Sequence, residues 1–520
     1  MLFKKYFILV LLVVFSLVID SVDTYSSSGQ IELPNGFDTS HVMQLNSPKV
    51  KEYNNDFNID FTSMEEIDFD GWVRVGIMVP LSGRSSSVGQ SLKNAAEIAL
   101  FSSGNKKIIL QFYDTNNATN GIAELTKQAI SERVNIILGP LFATEVDDVS
   151  RVARSYGVPV LTFSNDEVVL QDSRVHSMNY LLSQEIDRVV GFTSSNGRKM
   201  IAAIIPEGES EEIVVSAINK AAEKYSVKIY NIAKYKDGNQ QSIVEAVQKI
   251  SEYESRSKTK DKIKTAAIEK FTELKCEDVI NNKTSINVNT ELGVNDVLSA
   301  CKNLEILNKR FEPINAVGQI PYDAIFIYGD NKNLVSIGSY LLYYDVNPKA
   351  VRFVGTSAFD NKEIFAERGY YGAWFTSKNN SYSRAFENEY RTVFNEYPSR
   401  LAMFAYDAVS VIAALSNDGR FYVGGLNSPS GFFGISGLFK FARNGEVMRS
   451  FDVKQVLPRT SQTLSIAAKS FDEMEKQMLE NIEKSKSYSD EKIVEKIDID
   501  WIIENLPLLK LEDINNYVIE

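Results

Sequence analysis

Short apolar runs alternate with amphipathic helical segments along most of the chain from Trp72 onward. The first run is VRVGIMV (73–79), and a segment with apolar residues at helical spacing follows it as far as Leu100. The runs IILQFYD, NIILG and VPVLTF continue the alternation. Uninterrupted apolar strands are typical of sheets covered on both faces, and the intervening helices indicate parallel connections. This part of the chain therefore predicts a doubly wound parallel sheet.

The same alternation returns in the second half of the chain. MIAAII (200–205), VKIYNI, DAIFIYG (323–329) and VRFVG are the expected strands, and two helices between Tyr382 and Leu415 are expected to close one lobe. A chain of 520 residues is long enough for two cores. The predicted fold class is α/β, with two doubly wound parallel-sheet lobes.

A charged helical segment interrupts the alternation between residues 251 and 319. Its pattern predicts an inserted antiparallel helical hairpin with Cys276 and Cys301 on opposite arms. The two cysteines form either a disulfide or two partly buried thiols. The hairpin itself is either a surface for a partner or a decoration of the fold.

The two ends of the chain differ in composition from the lobes. Residues 1–28 carry Lys4 and Lys5 before an apolar run and predict a signal peptide or a membrane anchor. Residues 29–70 predict a disordered tether, residues 71–465 the binding domain, and residues 466–520 a helical C-terminal extension. The extension is expected to pack against its own protein, with a docking helix as the alternative. Export places the protein in the periplasm or cell envelope, in contact with membrane only through its N-terminal segment.

Composition argues against nucleic-acid binding and against catalysis. The net charge of -12 opposes binding to phosphate backbones. Only two histidines occur, His41 and His176, so a histidine metal cluster cannot form. The sequence lacks a Gly-Lys-Ser/Thr phosphate loop and a Gly-x-Ser-x-Gly elbow. A non-catalytic protein without a cofactor is the prediction.

Ligands of open parallel sheets bind beyond the carboxyl ends of the strands. Three loops of the first lobe are the candidates: PLSGRSSS (80–87), GPLFAT (139–144) and FSND (163–166). Their hydroxyl groups and backbone N–H groups suit a carboxylate or another polar oxygen, and Arg84 adds positive charge or is simply solvated. Thr144-x-x-Asp147 and Ser164-x-x-Glu167 also resemble capping boxes, which would use these hydroxyls internally.

The phrases VRVGIMVPLSG, ILGPLFATEV and GVPVLTFSND, followed later by RLAMFAYDAV, resemble the type I periplasmic-binding-protein fold of leucine-binding proteins. The resemblance implies two lobes around a cleft for an amino acid. A Tyr-Gly pair usual in that family is replaced here by Glu207-Gly208-Glu209-Ser210. The ligand positions that the resemblance implies are Ser82, Ala143, Thr144, Phe163, Ser164 and Asn165 in the first lobe, and Asp330, Thr356 and Trp374 in the second.

Two functional hypotheses follow from the resemblance. The combination of GPLF, PVLTFSND and GFFGISG is most similar to bacterial penicillin-binding-protein activators, which implies a regulator of peptidoglycan synthesis with a peptidoglycan synthase as partner. The alternative is the solute receptor of an ABC transporter for branched-chain or related amino acids, with an ABC permease as partner.

Overall fold

The computed structural model describes residues 70–167, 170, 175–281, 294–378, 381–442, 447–488 and 499–506. The predicted signal segment and nearly all of the predicted tether lie outside these ranges. In the described ranges, no helix combines the length and the apolar character needed to cross a membrane.

The first lobe is built on a five-stranded sheet in which every pair of neighbours is parallel. Its order is β2-β1-β3-β4-β5. Val75, Ile77 and Leu138 are completely buried in it, as uninterrupted apolar strands require. The elements are β1 (Val73–Val79), α1 (Ser86–Ser103), β2 (Ile108–Asp114), α2 (Ile122–Ser131), β3 (Ile136–Leu138), α3 (Ala143–Ser155), β4 (Val160–Thr162) and β5 (Val175–Ser177).

The second lobe begins with α4 (Leu182–Ser194), whose apolar face packs on the next sheet through Ile186 and Val189. It continues through β6 (Met200–Pro206), α5 (Glu211–Lys224), β7 (Lys228–Tyr235) and α6 (Gln240–Ile250).

Three helices with a core of their own interrupt this lobe, at the place where the sequence predicts a helical hairpin. They are α7 (Tyr253–Glu273), α8 (Cys276–Ile280) and α9 (Val294–Phe311). The sulfur atoms of Cys276 and Cys301 are 2.02 Å apart and form a disulfide between α8 and α9. Arg256 ties the insert to the lobe because its guanidinium donates to the carbonyls of Ser251, Gly318, Tyr344 and Asp345.

The second sheet resumes after the insert and receives strands from a distant part of the chain. The next elements are β8 (Ala324–Ile327), α10 (Asn331–Tyr343), β9 (Arg352–Gly355), α11 (Lys362–Ala366) and β10 (Trp374–Ser377). The chain then returns to the first lobe with α12 (Ser381–Phe394) and α13 (Ala402–Ala414), whose buried Phe386, Phe404 and Val409 join the core of that lobe.

Short antiparallel strands complete both lobes. They are β11 (Ser416–Asn417), β12 (Arg420–Phe421), β13 (Phe432–Gly434), β14 (Gly437–Phe441), β15 (Val447–Arg449), β16 (Asp452–Leu457) and β17 (Thr460–Ser465). The second sheet has the order β17-β16-β10-β9-β8-β6-β7, in which the pairs β10–β16 and β16–β17 are antiparallel and the other pairs are parallel. The sequence pattern predicted parallel lobes and missed this antiparallel edge, because neither β16 nor β17 is a continuous apolar run.

The C-terminal extension packs against its own protein within the described residues. Helix α14 (Phe471–Ser487) lies beside α4, and Lys199 Nζ donates to Ser485 Oγ at 2.8 Å. Helix α15 (Ile499–Asn505) continues the insert core through Ile502, and the adjacent Leu506 is also buried there. The extension thus contacts both the second lobe and the insert.

Candidate functional site

The three connections between the lobes meet at the carboxyl ends of the parallel strands. The first follows β5 at Ser177, the second follows β10 at Ser377, and the third precedes Asp452 of β16, which pairs with Ser377. The carboxyl edges of both sheets therefore border one groove between the lobes. This is the position at which ligands of open parallel sheets bind.

In the first lobe the strand order reverses between β1 and β3, so the loops after these strands form the wall of the groove. Asp114 organises the first loop, since its Oδ1 accepts the N–H groups of Leu81 at 2.8 Å and Ser82 at 3.3 Å. Burial alone would raise the pKa of Asp114, but hydrogen bonds from Ser82, Leu81 and Asn116 lower it overall. Ser82 and Arg84 are exposed in this loop.

Two glycines bring the loops of the first lobe close to β1. A Cβ atom on Gly89 would lie 1.9 Å from the carbonyl oxygen of Pro80, and one on Gly139 would lie 2.1 Å from that of Met78. Gly139 also has a φ of 113°, which favours glycine. No larger residue fits at either place without moving the backbone.

The start of α3 differs from the capping-box interpretation. The N-cap residue is Phe142 and no side chain caps the helix, so Ala143 and Thr144 lie in its first turn. Thr144 is exposed and its hydroxyl is left for an external partner. Glu145 in the same turn is half-buried, and burial raises the pKa of its carboxyl group.

In the loop after β4, most side chains make contacts within the first lobe. Phe163 is in the core of the lobe, and the buried Ser164 Oγ accepts the N–H of Asp166 at 3.2 Å. No helix within the described residues starts at Ser164, so its capping-box interpretation is also wrong. Asn165 alone in this trio is exposed beside the groove.

In the second lobe the strand order reverses between β6 and β8. The carbonyl of Tyr328, directly after β8, accepts the hydroxyl of Tyr235 from β7 at 3.1 Å. Asp330 Oδ1 accepts the N–H of Asn333 at 2.8 Å and caps α10, and the buried Thr356 caps the 3₁₀ turn that follows β9. Both predicted residues are thus at the expected edge, with structural partners of their own.

Trp374 lies in a strand and not in a loop of the groove. It is the first residue of β10, whose carboxyl end is Ser377. Its ring stacks on the Arg352 guanidinium at 4.8 Å and meets the ring of Phe192 edge-on at 5.2 Å. The structure therefore separates Trp374 from the other predicted residues by the length of the strand.

A buried carboxylate forms the floor of the groove beneath the first two connections. Glu185 Oε2 accepts the N–H of Ser357 at 2.7 Å and the hydroxyl of Thr376 at 2.8 Å, and Lys378 Nζ lies 2.6 Å from its Oε1. Lys378 Nζ also lies 4.9 Å from the centre of the Tyr180 ring in the first connection. One lysine thus contacts both connections.

A second buried pair fixes the connections on the side of the first lobe. Asp407 accepts the N–H groups of Ile435 at 2.8 Å and Ser436 at 2.9 Å. Arg449 Nη1 donates to Ser436 Oγ at 2.9 Å, and Arg449 Nε donates to the carbonyl of Asn179 at 3.3 Å. Burial raises the pKa of Asp407 and lowers the pKa of Arg449, and the hydroxyl of Ser436 bridges the two side chains.

Metal-binding geometry does not occur among the described residues, in which no group of three or more His, Cys, Asp or Glu side chains converges. His176 lies in β5 with its ring 5.0 Å from that of Phe441. The site offers hydroxyl groups, backbone N–H groups and a lysine, which are groups that bind and orient a polar solute.

Comparison with known proteins agrees with this architecture. Residues 73–255 match the family model described as periplasmic binding protein, and the match ends where the insert begins. A solved structure of a branched-chain amino acid ABC transporter protein from Rhodospirillum rubrum superposes with a TM-score of 0.56 at 12% identity, covering 76% of this chain and 100% of that one. The chain has the type I periplasmic-binding-protein fold.

Two further relatives carry less information. A substrate-binding protein of an ABC transporter from Sphaerobacter thermophilus has a TM-score of 0.49 at 13% identity, covering 77% of this chain and 98% of that one. An uncharacterized protein of Rickettsia prowazekii is 21% identical over 179 residues, which is 34% of this chain. The matched part spans about half of that relative, 47% of its length.

The sequence indicated the groove but not its floor. Glu185, Lys378, Asp407 and Arg449 were not among the predicted residues of this binding-protein fold. The available signal was a charge on a buried helix face, since Glu185 stands directly before Ile186 in the apolar stripe of α4. Asp407 likewise interrupts the apolar face of α13.

Proposed function

We propose that this protein is an exported, non-catalytic solute-binding protein that holds a small polar ligand between its two lobes. The observation that carries the proposal is the meeting of both carboxyl edges at a groove crossed by three connections. Such a hinge allows the lobes to close on a ligand.

The exposed groups of the groove indicate a ligand with a carboxylate or a similar polar group. Ser82, Arg84, Thr144 and Asn165 offer hydrogen-bond donors and one positive charge on the first lobe, and Asp330 offers a carboxylate on the second. A free amino acid has the complementary pair of charges. The R. rubrum protein is described by its branched-chain amino acid transport, so leucine, isoleucine and valine are the first ligands to test.

The partner in this proposal is the permease of an ABC transporter, and the site of action is the periplasm or cell envelope. The competing interpretation, a penicillin-binding-protein activator that binds a peptidoglycan synthase, rests on short sequence phrases. The R. rubrum protein, which shares the fold, is described as part of an ABC transporter. For this reason the receptor is the preferred function.

A thermal-shift titration with free amino acids tests the proposal. A ligand present at 100 times its dissociation constant should raise the free energy of unfolding by about 2.7 kcal/mol. A saturable rise in Tm with leucine, isoleucine or valine, weakened in Thr144→Val, is the expected result. If folded protein gives no saturable shift with any amino acid, the receptor function is wrong.

A further inference from the structure

A cluster of hydrogen-bond donors lies at the amino edge of the second sheet, at the opposite end of the strands from the groove. Arg352 begins β9, Trp374 begins β10, and Gln455 of β16 pairs with Trp374. Arg198 comes two residues before β6, which runs parallel to β9 and β10 within the same sheet. Each of these four side chains is partly exposed, so solvent reaches the cluster.

Arg352 is held in place without an acidic partner among the described residues. Its Nη1 donates to the carbonyl of Gly372, and its guanidinium stacks on Trp374 at 4.8 Å. Its Nε is buried and has no hydrogen-bond acceptor among the described residues. A buried donor without an acceptor is costly, so the fold satisfies the Arg352 guanidinium only in part.

A second guanidinium and an amide complete the cluster. Arg198 Nη1 donates to the carbonyl of Ala350 at 2.9 Å, and within the described ranges Arg198 has no ion pair either. The positive charge of Arg198 acts on Arg352, since burial first and Arg198 second lower the pKa of Arg352. A Cβ atom built on Gly372 would lie 3.6 Å from the Gln455 amide nitrogen and 2.6 Å from Arg352 Nη1.

Asp323, an acidic residue at this edge, accepts hydrogen bonds from the backbone of the strand start. Asp323 Oδ2 accepts the N–H groups of Lys199 and Met200, each at 3.0 Å. The neighbouring Lys199 Nζ is engaged by Ser485 and by the carbonyl of Tyr225. The cluster thus contains two guanidinium groups, one amide donor and the aromatic ring of Trp374 at one edge of the sheet.

We propose that Arg198, Arg352 and Gln455 form a binding site for a phosphate group. Two guanidinium groups match the charge of about -1.5 to -2 on a phosphate monoester better than the single charge of a carboxylate. Guanidinium groups also bind phosphate through pairs of parallel hydrogen bonds, and the ring of Trp374 keeps the plane of one of them fixed. The phosphate belongs either to a free solute or to a lipid headgroup.

Inorganic phosphate is the first probe, with chloride used to keep the ionic strength constant. We expect a saturable rise in Tm of the wild-type protein, and a dissociation constant about tenfold higher or more in Arg352→Gln, since a charge-assisted hydrogen bond is lost. Arg384→Gln makes the same change of charge at an exposed position of α12 and should leave phosphate binding unchanged. Arg352→Lys should bind with intermediate strength because it keeps the charge and loses the planar fork.

Arg198→Gln keeps the test decisive if Arg352→Gln does not fold, because Arg198 has one hydrogen bond to lose. The proposal is overturned if phosphate gives no saturable shift, or if the shift survives in Arg198→Gln and Arg352→Gln.

Cosedimentation with phosphatidic acid vesicles but not phosphatidylcholine vesicles, lost in either variant, identifies a headgroup. Phosphate binding without cosedimentation identifies a soluble phosphate. Amino acid binding in the groove is measured separately, so either proposal can fail alone.

Discussion

Lys378 Nζ lies 2.6 Å from Glu185 Oε1 and joins the second connection between the lobes to the first helix of the second lobe. The exposed fractions of the two side chains are 32% for Lys378 and 4% for Glu185. The carboxylate is thus almost completely removed from water, and it depends on Lys378, Thr376 and Ser357 for its stabilisation. A charge in this position is costly unless it is paired.

Replacement of Lys378 by methionine should therefore destabilise the protein. The substitution keeps the volume of the side chain and leaves the Glu185 carboxylate without its cation. Removal of one partner from a fully buried pair costs about 3–5 kcal/mol, and partial exposure of Lys378 reduces the expected loss to about 1–3 kcal/mol. Urea denaturation measures the change in the free energy of unfolding.

Lys93→Met is the matched control. The side chain of Lys93 is exposed to 33%, about the same fraction as that of Lys378, but its partner Glu97 is exposed to 43% and lies 3.6 Å away. The loss should stay below about 1 kcal/mol, as for other surface ion pairs. Equal losses in the two variants would show that the burial of Glu185 has no effect on stability.

Arg256 should be among the most sensitive positions of the second lobe. Its guanidinium donates to four carbonyl groups, including Tyr344 at 3.1 Å and Asp345 at 2.8 Å near the end of α10. Arg256→Met leaves these buried acceptors unsatisfied, and we expect a loss of about 3 kcal/mol or more. Lys258→Met, on the same helix with a side chain exposed to 71%, should lose less than about 0.5 kcal/mol in the same denaturation experiment.

The alternation of strands and helices predicted the two lobes because buried parallel strands and amphipathic helices leave a strong local pattern. It also placed the loops after β1, β3 and β4 correctly at the carboxyl edge, since this follows from chain order. Trp374 was misplaced for a local reason. The strand begins two residues after Gly372, whose φ of 88° ends the turn, so Trp374 starts the strand.

Contacts between residues that are far apart in the chain could not be predicted from the sequence. Asp407 and Arg449 belong to a helix and a strand that come together only when the first lobe forms. Arg352 and Trp374 likewise meet because β9 and β10 are neighbours in the sheet. Periodicity tells which face of an element is buried, but it does not tell which charge lies opposite which partner.

Reduction of the disulfide should loosen the insert and leave the lobes folded. Cys276 and Cys301 are 25 residues apart, and a closed loop of this size contributes about 3.5 kcal/mol in the chain-entropy account. Hydrogen exchange with and without a reductant should show faster exchange in α7 and α9, while β1 and β6 keep their protection. The Cys276→Ser and Cys301→Ser double variant should exchange fast in both conditions. Equal protection of the insert before and after reduction would contradict this role.

Glu389 should make stability depend on pH in the direction opposite to a paired carboxylate. Burial raises the pKa of this side chain in α12 above its ordinary value of 4.5. Its folded form therefore binds a proton more readily than the unfolded chain, so stability falls as pH rises from 4.5 through the raised pKa and is lowest above it. Glu389→Gln should have a higher Tm than the wild type at pH 7, and the difference should vanish below the unfolded pKa. A constant difference across this range would mean that the carboxyl group does not titrate in this way.

Thr144 and Ser164 separate ligand binding from folding within the same wall of the groove. Thr144 is exposed and does not cap α3, so Thr144→Val should leave the free energy of unfolding within about 0.5 kcal/mol of the wild type. The same variant should weaken amino acid binding about fivefold, the effect of one lost hydrogen bond of about 1 kcal/mol.

Ser164 is buried and its hydroxyl accepts the N–H of Asp166, so Ser164→Ala should lose about 1 kcal/mol of stability. Thr272→Val, at an exposed position of the insert, is the control for binding. Calorimetry and denaturation on the same preparations would contradict the assignment if Thr144→Val unfolded more easily and bound with unchanged affinity.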